Sequence, residues 1–176
     1  GGDSSPEFDR LLRRQLPAIT QRLSDTLGKL SHPEPGAVRI QPLQDWWADL
    51  LRRHGEHGIR FATALPVPRT PIPGDLFSGI ADNLVANALH KRAAHPDLEI
   101  GVTLEHAGMT VLTVCDSGDP VPPALGAVLF MEPVPSASGL GIGLYHGARH
   151  AEALGYRLRL AENRQGRVCF RLEPGV

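Results

Sequence analysis

Two pairs of alternating apolar segments, each joined by a short turn, constrain the fold of this chain more than any other feature. The segments are residues 98–104 and 109–113 in the first pair, and residues 156–160 and 168–172 in the second. Alternation of apolar and polar side chains is typical of strands that bury one face. The turns, at Ala107-Gly108 and at residues 163–166, are short enough to join antiparallel neighbours. These segments therefore predict the larger part of a β-sheet with one buried face.

Helical periodicity separates the predicted strands. Apolar residues recur at three- and four-residue steps in three segments, which are residues 43–54, 75–90 and 143–154. Two shorter strands are expected near Val38 and Ile40 and over residues 59–63, and four prolines between residues 66 and 73 predict an extended connection. We predict an α/β two-layer sandwich, in which three helices cover one face of a mixed sheet.

The first part of the chain has a different pattern. Residues 1–7 are polar and rich in Gly and Ser, and we exclude them from the fold. Residues 8–30 predict an amphipathic helix with a near-heptad apolar seam, which Pro17 should kink or restart. Residues 32–36 predict a linker. The predicted organisation is thus a tail, helix and linker over residues 1–36, followed by one domain over residues 37–176.

Composition limits the function classes. The 176 residues carry 18 Lys and Arg against 19 Asp and Glu, which leaves no broad basic surface for nucleic acid. The two cysteines, Cys115 and Cys169, lie in apolar alternations and are predicted to be separate, buried and reduced thiols. Reduced thiols predict a cytoplasmic location. No apolar run approaches the roughly 18 residues of a membrane span, so a membrane anchor, if one exists, lies outside this sequence.

Two asparagines on the predicted helix 75–90 are the first candidate site residues. At 100° per residue, Asn83, Asn87 and His90 project together beside the apolar face. Amides one turn apart can coordinate a hard cation through their oxygens and donate to phosphates through their nitrogens. Taken alone, they would be read as ordinary exposed polar residues or helix caps.

An aspartate after an apolar strand is the second candidate. Asp116 follows Val114-Cys115 and precedes Gly118, so its carboxylate should lie at the sheet edge. An ionised carboxylate accepts hydrogen bonds only, which suits the exocyclic amine of adenine and would reject the carbonyl of guanine. The alternative is that residues 116–120 form only a turn, since their residue types favour turns.

Three alternate glycines before the last predicted helix are the third candidate. Gly139, Gly141 and Gly143 allow close backbone approach, and a helix that begins behind them would direct its amides toward an anion such as a triphosphate. They could equally allow close packing of a helix on a sheet. A dinucleotide-binding fingerprint is excluded, because a Pro- and Ser-rich loop precedes the glycines where that motif has a strand.

The order of the three segments resembles the N, G1 and G2 boxes of the Bergerat-type ATP-binding domain (GHKL superfamily), above all in the catalytic domain of two-component sensor histidine kinases. The resemblance covers roughly residues 38–174 and implies that ATP and Mg²⁺ bind, with Asn87 as the magnesium ligand and Asp116 at the adenine amine. The implied nucleotide-binding residues are Asn83, Asn87, His90, Lys91, Asp116, Gly118, Gly139, Leu140, Gly141, Ile142, Gly143 and Leu144. Pro120 stands where the family usually has a second glycine, and residues 121–138 resemble the family's F box and a shortened lid.

The resemblance also implies the reaction. Hydrolysing members of the superfamily have a water-activating glutamate where this chain has Asn83, so transfer of the γ-phosphoryl group to a histidine is expected instead. None of the eight histidines has the phosphoacceptor setting, and no catalytic residue is assigned within this chain. The expected partners are a dimerisation and phosphoacceptor domain, a response regulator and a second copy of the intact kinase, with the chain as cytoplasmic portion of the sensor. The alternatives are a degenerate Bergerat domain acting as a protein-interaction module and a serine-protein kinase of the anti-sigma type.

Overall fold

The structure is a computed structural model that describes residues 38–133 and 140–175. The chain divides into two units, Gly1–Ala37 and Val38–Val176, and everything described here belongs to the second. The predicted helix over residues 8–30 and the predicted site residue Gly139 lie outside the described residues. The elements are β1 (Ile40–Pro42), α1 (Leu43–His54), β2 (Arg60–Thr63), β3 (Pro71–Pro73), α2 (Gly74–Ala94), β4 (Ile100–Glu105), β5 (Val111–Asp116), α3 (Pro123–Val128), α4 (Leu140–Ala153), β6 (Tyr156–Arg164) and β7 (Arg167–Pro174).

Five strands form the main sheet, in the order β2-β4-β5-β7-β6. Strands β2 and β4 pair in parallel, and the other three pairs are antiparallel. Strands β1 and β3 form a separate antiparallel pair. The sheet is thus mixed, and the helices lie against one of its faces, which confirms the predicted α/β two-layer architecture.

The helix layer forms because α1 and α2 each carry a continuous apolar surface. In α1 the residues Leu43, Trp46, Trp47 and Leu50 recur at three- and four-residue steps and are buried. Asp45 in its first turn and three basic residues in its last turn complement the helix dipole. The Trp46 ring meets the ring of Phe77 on α2 edge to face, with centroids 5.4 Å apart. These contacts hold α1 against α2.

On the central strands β4, β5 and β7, the helix-facing side of the sheet is apolar except at Asp116. Register pairs Ile100 with Asp116 on β4 and β5, and Asp116 with Val168 on β7. Ile100 is 1% exposed and Val168 is fully buried. Asp116 is therefore a carboxylate between two buried aliphatic side chains, and such a group needs a compensating partner.

The opposite side of the sheet carries charged pairs. Arg159 on β6 donates to Glu173 on β7 twice, at 2.5 Å through Nε and at 3.2 Å through Nη2. These hydrogen bonds lower the pKa of the Glu173 carboxyl. Arg171 on β7 reaches Glu105 on β4 at 3.3 Å. This side is therefore a layer of long polar side chains, whereas the other side is covered by helices.

The two cysteines correct the sequence analysis. Cys115 and Cys169 were predicted to be separate reduced thiols, and this is wrong, because the structure joins them in a disulfide. They stand directly opposite each other on β5 and β7, with their Cα atoms 4.1 Å apart. Their 54-residue separation in sequence hides this register. The cytoplasmic location loses the argument from reduced thiols and stays a prediction.

Other differences concern element boundaries. Helix α2 continues to Ala94, four residues beyond the predicted end, because no breaker occurs before His95, which precedes Pro96 and is extended. The stretch after β5, which lies outside the three predicted helices, contains the short helix α3, and Pro123 is its first-turn proline. Helix α4 is described from Leu140, so Gly141 and Gly143 lie inside it. No helix within the described ranges is long and apolar enough to cross a membrane.

Candidate functional site

A cleft opens between α2, β5 and the segment that follows β5. The side chains that line it are Leu84, Asn87, Ala88, Lys91, Val114, Asp116, Val121, Leu125, Leu129, Leu144 and Phe170. The lining is apolar except for three groups, the amide of Asn87, the ammonium of Lys91 and the carboxylate of Asp116. A few convergent polar groups on an apolar lining are typical of a small-molecule site.

The space inside the cleft is small. Its cavity volume is about 30 Å³, whereas pockets that enclose drug-sized ligands usually measure about 300–1,000 Å³. Leu129, which is 2% exposed, and Leu125 are the apolar side chains contributed by α3 and its end. With Leu125 and Leu129 in these positions, the cleft is therefore smaller than a nucleotide base requires.

Asp116 is held in the cleft at the end of β5. Its side chain is 6% exposed, and its Oδ1 accepts the backbone N–H of Gly118 at 3.0 Å. A Cβ atom at Gly118 would lie 2.8 Å from that oxygen and 3.1 Å from Leu98 Cδ1. A side chain at position 118 would therefore push against the carboxylate, and the hydrogen bond from the Gly118 N–H orients Asp116.

Lys91 on α2 pairs with Asp116. The Lys91 Nζ atom donates to Asp116 Oδ2 at 2.7 Å, and the Lys91 side chain is 23% exposed. A buried carboxylate without such a partner would be strongly destabilising. The sequence analysis named both residues as site residues but did not predict that they form an ion pair.

Asn83 and Asn87 lie one turn apart on α2, as predicted. Asn87 Nδ2 donates to Asn83 Oδ1 at 3.4 Å, and Asn87 lines the cleft. Among the residues that the structure describes, no donor reaches Asn87 Oδ1. A neutral amide oxygen at the edge of a cleft is a ligand that a hard cation accepts. Asn87 therefore fits a magnesium ligand, with other ligands supplied by phosphate oxygens and water.

Gly143 on α4 packs against the same helix. A Cβ atom at Gly143 would lie 2.6 Å from Asn83 Nδ2 and 2.7 Å from Asn83 Oδ1, so the Asn83 amide occupies the space beside Gly143. Leu144 is 1% exposed and lines the cleft, and Ile142 is partly buried. Leu140 and Gly141 belong to the first turn of α4, where backbone N–H groups have no partner within the helix.

Not every predicted residue lies in the cleft. His90 is exposed on α2 and does not line it, and Gly118 lines a neighbouring groove. The apolar lining residues were missed as site residues, except for Leu144. They are Leu84, Ala88, Val114, Val121, Leu125, Leu129 and Phe170. Val114 lies on the same face of its strand as Asp116, whereas only the strand order brings Phe170 opposite Val114.

Comparison with known proteins finds likeness in structure alone. No protein-family model and no curated protein matches the chain. The catalytic domain of the histidine kinase ThkA is 23% identical, with a TM-score of 0.62 over 77% of this chain and 95% of that one. Larger solved structures also match. ThkA in complex with the response regulator TrrA is 20% identical, with a TM-score of 0.69 over 99% of this chain and 52% of that one. Full-length ShkA in complex with AMPPNP is 18% identical, with a TM-score of 0.62 over 98% of this chain and 39% of that one.

These likenesses concern the fold of the chain. At 18–23% identity they establish the fold and leave the activity open. The resemblance predicted from residues 82–88, 114–118 and 139–144 is confirmed at that level. The chain therefore has the fold of histidine kinase catalytic domains.

Proposed function

We propose that this chain is the ATP-binding catalytic domain of a two-component sensor histidine kinase. The observation that carries the proposal is the placement of Asp116, a 6% exposed carboxylate in an apolar cleft whose rim also carries Asn87. A carboxylate at that depth suits a hydrogen-bond donor on a flat apolar ligand, which describes the amine edge of adenine. The likeness to histidine kinase catalytic domains supports the same reading.

The phosphates and the metal would be held at the other end of the cleft. Asn87 would hold Mg²⁺ through Oδ1, and Asn83 lies beside it on the same helix. The first-turn N–H groups of α4 would bind phosphate oxygens. Bound Mg²⁺ would neutralise charge on the phosphate oxygens. The roles of these residues are binding and orientation.

We propose transfer rather than hydrolysis as the outcome. Asn83 stands one helical turn before Asn87, and an amide cannot act as a general base toward water. The acceptor would be a histidine on the dimerisation domain of the intact kinase, and a response regulator would receive the group next. Nucleic acid is not an expected partner, because the net charge is −1.

The test is titration calorimetry with ATP, with and without Mg²⁺, on the wild-type chain and on Asp116→Ala. A hydrogen bond to a charged group contributes about 1.5–3 kcal/mol, so the dissociation constant should rise at least roughly tenfold in Asp116→Ala. The matched control is Asp119→Ala, which removes an aspartate bonded to Gln165 outside the cleft. Equal affinity in the wild type and Asp116→Ala, with both folded, would exclude this role for Asp116.

A second candidate function has one observation in its favour. The cavity measures about 30 Å³ and Leu129 is buried in it, as expected of a degenerate domain that serves as a protein-interaction module. The same titration separates the two candidates. Absence of any heat or thermal stabilisation with ATP and Mg²⁺ would favour the interaction module, whereas saturable binding would favour the kinase domain.

A further inference from the structure

Lys91 enters the cleft at the end where Asp116 lies. Its ammonium is 2.7 Å from Asp116 Oδ2, and both residues line the same apolar cavity. The base-reading end of the cleft therefore contains a cationic donor directly beside an anionic acceptor. We infer that Lys91 and Asp116 together read the edge of the base, so that the cleft takes guanine nucleotides as well as adenine nucleotides. The inference deepens the proposed nucleotide function and rests on it.

Both groups keep hydrogen-bonding capacity after they pair. An ammonium has three donors, and the structure assigns one of them, to Asp116. A carboxylate has about four lone-pair sites, and two are used here, by Lys91 and by the N–H of Gly118. The pair therefore keeps at least one donor and one acceptor for a ligand that enters the cleft.

The two purines offer matching pairs of groups. Adenine presents an amine donor next to a ring-nitrogen acceptor, and guanine presents a carbonyl acceptor next to a ring N–H donor. Asp116 alone accepts from the adenine amine and repels the guanine carbonyl. With Lys91 beside it, the guanine carbonyl gains a charged donor while the ring N–H reaches the carboxylate. Lys91 is therefore the specificity-determining residue that removes the discrimination Asp116 would impose.

Regular secondary structure positions both members of the pair. Lys91 belongs to α2 and Asp116 to β5. The Lys91 stem also passes Gly118, where a Cβ atom would lie 3.8 Å from Lys91 Cδ. The ion pair therefore joins a helix to the end of a strand and does not depend on the segment that carries Val121, Leu125 and Leu129.

The test compares ADP, GDP and IDP binding to the wild type, Lys91→Met and Arg92→Met by calorimetry in Mg²⁺. Arg92 is the matched control, because it follows Lys91 on α2 but lines a different cavity. In the wild type, the dissociation constants of GDP and ADP should agree within about tenfold. Lys91→Met should raise the dissociation constant of GDP at least roughly tenfold more than that of ADP. IDP, which has the guanine carbonyl and ring N–H but no 2-amino group, should follow GDP. Arg92→Met should leave the ratio unchanged.

Two results would overturn the inference while the proposed function stands. One is a wild type that binds ADP but rejects GDP by more than about a hundredfold. The other is an unchanged GDP-to-ADP ratio in Lys91→Met, and an equal gain in affinity for both nucleotides there would make Lys91 a shield over Asp116. A wild type that binds none of the three nucleotides overturns the inference and the proposed function together. If Lys91→Met does not fold, Lys91→Gln replaces it, and its neutral donor should give a smaller change in the same direction.

Discussion

An ion pair lies on each side of the central strand β5, and the two pairs differ in their exposure to solvent. On the helix-facing side, Lys91 and Asp116 meet with the carboxylate 6% exposed between Ile100 and Val168. On the other side, Arg171 and Glu105 meet with side chains that are 31% and 56% exposed. The same chemistry occurs in both places, but water screens the second pair more than the first, because the Asp116 carboxylate is buried and the Glu105 carboxylate is not.

This difference in exposure indicates on which side of the sheet a single substitution should most affect stability and ligand binding. Exposed pairs typically contribute about 0–1 kcal/mol, since Coulomb attraction in water is offset by side-chain entropy. Loss of one member of a buried pair is far more costly, because the remaining charge has no solvent. The helix-facing side should therefore control stability and ligand binding, and the charged side should tolerate change.

The largest expected effect is on the helix-facing side of β7. Leu172 is fully buried and pairs with Leu112 and Leu158. Leu172→Ala should lower the free energy of unfolding by about 2–5 kcal/mol, measured by urea denaturation. Arg171→Ala, the neighbouring substitution on the charged side, is the control and should cost about 1 kcal/mol or less. Equal losses in the two variants would contradict the contrast between the faces.

The charged side of the sheet should tolerate substitution except at the disulfide. It ties β5 to β7 at directly opposite positions. The Cys115→Ser/Cys169→Ser double variant should lose about 2–4 kcal/mol of unfolding free energy, because the bridge restricts the unfolded chain. Reduction of the wild type should lower its urea midpoint to the same value. Two free thiols in the native, unreduced protein, detected by alkylation and mass spectrometry, would show that the pair is not bonded.

The smallest expected effect is the pH dependence of the Arg159–Glu173 pair. Because Arg159 lowers the pKa of Glu173, the pair stabilises the fold above the unfolded pKa of about 4.3 and loses this contribution as pH falls through the lower folded pKa. Glu173→Gln should therefore lower the free energy of unfolding by about 1 kcal/mol or less at pH 7. Below about pH 4, its free energy of unfolding should fall less steeply with pH than that of the wild type. The control is Glu152→Gln, the exposed partner of Arg149 on α4. Parallel pH profiles for the wild type and Glu173→Gln would show that the pair contributes nothing.

The sequence predicted elements well where the pattern is local. The helix Leu43–His54 has the predicted bounds, because its apolar spacing, its acidic start and its basic end all agree. The strands of the main sheet were also predicted, although Val111–Asp116 and Tyr156–Arg164 extend further than their alternating segments. Strand Pro71–Pro73 was predicted only as part of an extended connection. The residues beyond the alternating segments form hydrogen bonds with the neighbouring strands. The periodicity of a single strand does not reveal this pairing.

The sequence identified individual residues of the candidate site but not the contacts between them. Asp116 and Asn87 were identified by motif and lie in one cleft. The contact between Lys91 and Asp116 and the disulfide between Cys115 and Cys169 both depend on which strand lies beside which element, at sequence separations of 25 and 54 residues. The small volume of the cleft depends on how Leu125 and Leu129 pack, which no spacing rule gives.

The contact between Gly143 and Asn83 has a consequence for how such chains vary. The Asn83 amide fills the space where a Cβ atom at position 143 would stand, 2.6 Å away. A larger residue at position 143 would force Asn83 to rotate away from Asn87, which now donates to it. The two positions lie on different helices, and the size of the residue at one limits the size of the residue at the other. Among relatives of this chain we expect them to covary, with a residue smaller than asparagine at position 83 wherever position 143 carries a side chain.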